Sequence, residues 1–205
     1  MWFFLWLSAS LAGRPASPPP CAATVQELPV PAALQDGRLQ GASLIVVSKA
    51  NRRLARYAGG QLVQQDGAPA CWSVGLAASA DGTAWTGTKT RRGDRKTPEG
   101  WYRTSDKPWS SFYGAIAVHY PERRDADGGL RSGRIDADTH ATITSALERG
   151  NKPPQNTRMG GEILIHGGGG RSDWTLGCVA LEDDDVDALR ATLPESMRTD
   201  VLILP

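Results

Sequence analysis

The chain has 205 residues, room for one domain of ordinary size. Its 40% hydrophobic and 22% charged residues lie near the globular average and exclude a disordered or fibrous chain. With 23 basic against 22 acidic residues the formal net charge is +1, so the basic field that a nucleic-acid binder needs is missing.

Residues 1–12 read MWFFLWLSASLA, an apolar run of signal-peptide length. A bilayer span needs about 20 residues, so the run is too short to be one. We therefore read 1–20 as a signal peptide or apolar N-terminal segment. The reading implies export to the periplasm or cell envelope, with membrane contact only if the segment is retained. In that oxidising setting Cys21 and Cys71 can pair, which leaves Cys178 free. Residues 21–40 are rich in Pro, Ala and Gln and read as a linker ahead of a folded domain over 41–205. Leu44 to Val47, Leu54 to Tyr57 and Trp72 to Leu76 are expected as short strands between Gly-rich turns. The basic run Thr86 to Arg95 reads as a solvated hairpin, followed by a turn at Thr97-Pro98-Glu99-Gly100. Ala115 to Val118 is expected as a strand that ends in His119-Tyr120-Pro121. Asp138 to Arg149 has helical spacing, an Asp cap and Gly150 as a stop. Ile163 to Ile165 is expected as a strand, Asp183 to Leu193 as a helix with an acidic first turn, and Val201 to Leu204 as a closing strand. The expected fold is mainly β with few helices.

The chemistry concentrates in ILIHGGGGRSDWTLGCVAL, residues 163–181. His166 leaves a buried strand and enters four glycines. Cys178 follows 12 positions later, directly behind Gly177. A thiol is a weak nucleophile until deprotonated, and a neighbouring imidazole can take the proton. Gly177 lets the backbone turn sharply, so N–H groups near Cys178 can face a developing oxyanion. The bland alternative is a buried structural Cys with a loop His. An unpaired Cys behind Gly in an exported chain favours the nucleophile.

His166-Gly167 followed by Thr175-Leu176-Gly177-Cys178 resembles the signature of the L,D-transpeptidase catalytic domain, the YkuD family. Lys96-Thr97-Pro98-Glu99-Gly100 is similar to that family's upstream turn. His119-Tyr120-Pro121 with Asp125, and Asp173-Trp174-Thr175, resemble segments of one of its branches. The resemblance implies a curved β-sheet or sandwich cradling a Cys-His site, in a catalytic domain over 41–205. It implies Cys178 as nucleophile, His166 as base, and a backbone carbonyl near Gly167 that orients the imidazole. It implies acyl transfer on peptidoglycan stem peptides in bacterial cell-wall remodelling, with no metal or cofactor. Two departures matter. Many members carry Arg two residues after the Cys, where this chain has Ala180, and the His-to-Cys loop is short. Both keep hydrolysis open, as an L,D-carboxypeptidase or an amidase that cuts stem-peptide or protein–peptidoglycan links.

Further candidates surround this pair. Gly177, Gly167 and Thr175 are candidates for oxyanion or orienting roles. His119, Tyr120, Arg171 and Trp174 are candidates for substrate contact, although a strand-end His is commonly structural and a loop Arg commonly solvated. His119, His140, His166 and Cys178 lack the tight ligand spacing of a zinc site. A sortase would place its His far upstream of the Cys, and a papain-like or NlpC-type peptidase would place Cys before His. A non-catalytic wall-binding module would have no use for the free Cys178.

Overall fold

The computed structural model describes residues 20–79 and 86–205. The expected signal segment lies, but for Pro20, outside the described residues. Eleven strands carry the fold: β1 (Leu44–Ser48), β2 (Arg53–Ala58), β3 (Gln61–Leu62), β4 (Gln64–Gln65), β5 (Ala68–Pro69), β6 (Cys71–Ser73), β7 (Gly100–Asp106), β8 (Ile116–Val118), β9 (Ile163–His166), β10 (Val179–Ala180) and β11 (Asp200–Leu204). Among the described residues three helices join them: α1 (Arg123–Arg131), α2 (Ala137–Glu148) and α3 (Asp183–Ala191). The main sheet runs β10-β9-β8-β7-β11-β1-β2-β3, with β6 also on β2, and β4 and β5 form a separate pair. Beyond β6 the chain bridges Gly75 to Ala180 and Ala77 to Thr175. The two ends of the sheet are thereby tied together, which requires the sheet to curve.

Strand alternation sorts the side chains into two faces. One face carries Ile45, Val47, Tyr102, Ile116, Val118, Ile163, Ile165, Val201 and Ile203, packed against Ala126 of α1, Ile143 of α2 and Val186 and Leu189 of α3. On the other face Leu44, Val46, Trp101, Leu202 and Leu204 pack with Val25, Leu34 and Leu39. Further along that second face only Ala115, Ala117 and Leu164 are buried together, with Cys178 against them.

Residues 21–40, expected as a linker, instead form three 3-10 turns (Val25–Glu27, Ala32–Leu34, Gly37–Gln40) that cover half of the second face. Their apolar residues are too scattered to show a period, yet each turn buries one of them. Trp101 Nε1 donates to the Leu34 carbonyl at 2.8 Å. Cys21 and Cys71 are disulfide-bonded across 50 residues. Closing a loop of that length stabilises by about 2–4 kcal/mol. The double substitution Cys21→Ser/Cys71→Ser is expected to lower the unfolding free energy by about that amount, read from urea curves of oxidised protein. An unchanged free energy would mean that packing alone holds the arm.

Three expectations need correction. The run Thr86 to Arg95 is no solvated hairpin. Lys89 is buried and pairs with Asp94 at 3.0 Å, and Asp94 also accepts the N–H groups of Thr90 and Arg91. The cap of α2 is Asp136, whose carboxylate accepts the Thr139 N–H at 2.8 Å, rather than Asp138. Helix α1 was not expected, because RRDADGGLR carries two glycines and no apolar stripe. Gly129 lets it pack closely here: a Cβ at that position would stand 2.7 Å from Met159 Sδ. Among the described residues no helix is long and apolar enough to cross a membrane.

Candidate active site

His166 is the last residue of β9 and Cys178 directly precedes β10. These strands are parallel, with Val179 beside Ile165 and Ala180 beside His166. Cys178 therefore stands beside Leu164, on the face that also carries Leu164 and His166. The Leu164 N–H donates to Cys178 Sγ at 3.4 Å, and the thiol donates to the Glu162 carbonyl at 3.6 Å. The thiol's hydrogen-bond partner is thus the Glu162 carbonyl at the start of β9, at the opposite end of that strand from the imidazole.

The imidazole has a fixed tautomer. His166 Nδ1 lies 2.6 Å from the Gly167 carbonyl oxygen. A carbonyl only accepts, so Nδ1 holds the proton and Nε2 presents its lone pair. Burial holds the His166 imidazole below its ordinary range, against the opposing effect of the Gly167 bond. Burial also raises the Cys178 thiol above its ordinary value, and the Leu164 N–H partly offsets this. Both shifts favour a neutral thiol with a neutral imidazole over a thiolate–imidazolium pair.

The loop between the two residues is held from three sides. Asp173 takes a forked bond from Arg52 and accepts the Leu76 N–H at 2.8 Å. Glu182 and Asp183 accept the Gly170 and Gly168 N–H groups at 2.9 and 2.8 Å. Thr175 is buried; its hydroxyl donates to the Cys178 carbonyl at 2.8 Å and faces the Gly177 N–H. It braces the turn and does not point into the groove. Gly177 has φ +124°, and a Cβ there would come within 2.8 Å of the Lys96 carbonyl oxygen. The turn after Lys96 is itself pinned, because Lys49 reaches Glu99 at 2.6 Å and the Thr97 carbonyl at 3.2 Å.

The remaining candidates divide. Trp174 stands at the rim, its ring edge-on to His166 at 5.7 Å and its Nε1 donating to the Gly169 carbonyl at 2.9 Å. Arg171 projects into solvent and only approaches Glu182, at 3.6 Å. His119 lies past the far end of β8 from Ala115, buried, with Nε2 2.9 Å from Ser105 Oγ. Burial and nearby cations lower its pKa to about 4. Tyr120 is fully buried on the helix-bearing face, with its hydroxyl towards the Lys89 carbonyl, so it does not line the groove.

Sequence reasoning missed Phe112, which stacks on His166, and the pair of lysines at Glu162. Phe112 sits in a short loop without any motif. Lys107 and Lys152 both meet the Glu162 carboxylate, the latter at 3.5 Å. Two cations on one carboxylate leave a net positive charge beside the thiol. These contacts join residues 55 and 10 positions apart, and no local spacing signals them.

The model of the YkuD family, described as the L,D-transpeptidase catalytic domain, matches residues 42–203. The chain belongs to this family. Similar solved structures include the helical cell shape determining protein Pgp2 from Campylobacter jejuni, with 20% identity over 83% of this chain and 52% of that one and a TM-score of 0.48. Bd1075 from Bdellovibrio bacteriovorus shares 21% identity over 83% of this chain and 50% of its own, with a TM-score of 0.43. The L,D-transpeptidase from Xylanimonas cellulosilytica shares 12% over 80% of this chain and 61% of its own, with a TM-score of 0.42. The chain spans about half the length of the first of these structures. At such identities and scores the likeness carries no functional weight. No curated protein matches the chain in sequence. The curved, mainly β fold and the ordered His-Gly and Thr-x-Gly-Cys segments are those of an L,D-transpeptidase catalytic domain.

Proposed function

We propose that this chain is an exported cysteine acyltransferase that works on peptidoglycan stem peptides in the cell envelope. The observation that carries the reading is the Nδ1–H···O=C bond from His166 to Gly167, which leaves Nε2 as a base on the face that holds Cys178. Export is supported by the apolar N-terminus and by the Cys21–Cys71 disulfide. The substrate reading is supported by family membership.

On this reading the Cys178 side chain turns from the Glu162 carbonyl towards His166. Nε2 takes the thiol proton as sulfur attacks the carbonyl of an L-centre residue bonded to a D-residue. The Cys178 backbone N–H faces the oxyanion, while the Gly177 N–H is held by Thr175 Oγ1 and shapes the turn. The C–N bond breaks, the proton passes from Nε2 to the leaving amine, and a thioester remains on Cys178. An acceptor amine or water then attacks the thioester, Nε2 takes its proton, and sulfur leaves and regains that proton. Gly167 orients the base, Thr175 braces the nucleophile's turn, and Trp174 lines the rim.

Hydrolysis is proposed to compete with transfer more than in Arg-bearing members. Ala180 is fully buried and bonded on both sides to Gly75, so it offers no cation to an acceptor. Arg123 on α1 pairs with Glu148, Arg131 lies exposed at the end of the same helix, and Arg171 is solvated. The test is incubation with tetrapeptide muropeptides and a D-amino-acid acceptor, with products separated by mass. Shortened, hydrolysed stems comparable to or above exchange product are expected. Exchange or dimer in large excess at millimolar acceptor would remove the hydrolytic part of the proposal, and no product of either kind would remove the substrate class.

A further inference from the structure

Phe112 belongs to the loop between β7 and β8 and is 42% exposed. Its ring lies over the His166 imidazole, with ring centroids 4.2 Å apart and planes 31° apart. Trp174 closes a second side with its edge at 5.7 Å. Although both aromatics are exposed, the imidazole between them is only 1% exposed. The loop is fixed on either side of Phe112. The Gly167 N–H donates to the Tyr113 carbonyl at 2.9 Å, the Phe112 N–H donates to Ser110 Oγ at 3.1 Å, and the Tyr113 hydroxyl donates to Asp187 of α3 at 2.8 Å. Gly167 accommodates the approach, since a Cβ there would meet Tyr113 Cβ at 3.0 Å and Asp183 Oδ1 at 2.2 Å. One residue, Gly167, therefore both orients the imidazole and anchors the loop that covers it.

We propose that Phe112 is a positioning residue for His166: its ring keeps water off one face of the imidazole and holds the ring plane that Gly167 sets. This rests on the reading of His166 as base. The charged groups of the surrounding elements are engaged elsewhere. Asp183 and Glu182 accept from the glycine loop, Glu182 also faces Arg171, Asp187 accepts from Tyr113, and Lys107 and Lys152 meet Glu162. Asp184 and Asp185 share the first turn of α3, and the Cys178 thiol is uncharged at neutral pH. Burial is the main cause of the lowered His166 midpoint, and no charged side chain contributes to it. Removing an exposed uncharged ring is thus expected to act through solvation and orientation.

The chain has 3 His, so imidazole NMR titration resolves each one, with His119 and His140 as internal references. In Phe112→Ala the His166 midpoint is expected to rise towards the ordinary value near 6.5. In Phe112→Tyr it is expected to return to the wild-type position, while the two references stay still in both variants. Turnover of stem peptides by Phe112→Ala is expected to fall roughly tenfold in kcat, short of the roughly 10²–10⁴ for losing a base, with KM moving less. Phe112→Tyr restores it. A His166 midpoint that does not move in Phe112→Ala, or that moves equally in Phe112→Tyr, overturns the proposal. The titration needs no substrate, so a chain inactive on stem peptides would still show the shift, and failure of the substrate reading is separable from failure of this one.

Discussion

Cys178→Ser is expected to reduce turnover of stem peptides to below about one-thousandth of wild type, the scale on which loss of a nucleophile acts. The reason is acidity. A serine hydroxyl is a far weaker acid than a thiol, so a neutral imidazole cannot ionise it readily. The fold gives no second cause for the loss. Among the described residues Cys178 Sγ makes two polar contacts, from the Leu164 N–H and to the Glu162 carbonyl, and a hydroxyl can serve both. The melting temperature of the variant should therefore match wild type within a few degrees, an effect below about 1 kcal/mol. Among the described residues Cys178 is the free cysteine, so labelling by a thiol probe followed by mass analysis should report on it alone. Retained turnover in pure Cys178→Ser protein would remove the nucleophile assignment, whatever the labelling shows.

How much of this was legible beforehand depends on how local each signal is. The strands at Leu44, Ile163 and Val201 are runs of β-branched and aliphatic residues, and a run needs no partner to be recognised. The pair His166 and Cys178 was legible because a tight glycine turn sits next to each. Strand β7 was not foreseen, although it lies at the centre of the sheet. Its sequence GWYRTSD carries an exposed Arg103 and three polar residues after it, and its place comes from pairing with β11 and β8, nearly 100 and about 14 positions away. The buried pair Lys89–Asp94 read as surface charge, since nothing in a lone lysine says what it will meet. Tyr120 was placed at the site because it follows a strand that leads there. Strand alternation turns it to the opposite face, where it packs near Tyr102 with ring centroids 6.0 Å apart.

His166→Ala is expected to lower the rate by roughly 10²–10⁴-fold near neutral pH and to change the shape of the pH profile. In the wild type the reacting form needs a neutral imidazole and a protonated thiol. The imidazole midpoint is depressed, so it stays neutral down to below about pH 6.5, and the acid limb of the profile lies below that value. As pH falls through the depressed midpoint, Nε2 is protonated and activity is lost. Burial raises the thiol midpoint above its ordinary value, so little thiolate forms unaided at neutral pH. The base therefore supplies what the thiol's own acidity does not. Without it, the variant must draw on spontaneous thiolate, which grows about tenfold per pH unit until the raised thiol midpoint is reached. The ratio of wild-type to variant rate should consequently shrink steadily as pH rises. The same logic gives a check that needs no stem peptide. Alkylation of Cys178 by iodoacetamide should follow one alkaline midpoint in both proteins, with no acid-side plateau. A plateau reaching down to about pH 5 in the wild type would instead mark a standing thiolate–imidazolium pair, and would overturn the neutral-pair description together with the general-base role built on it.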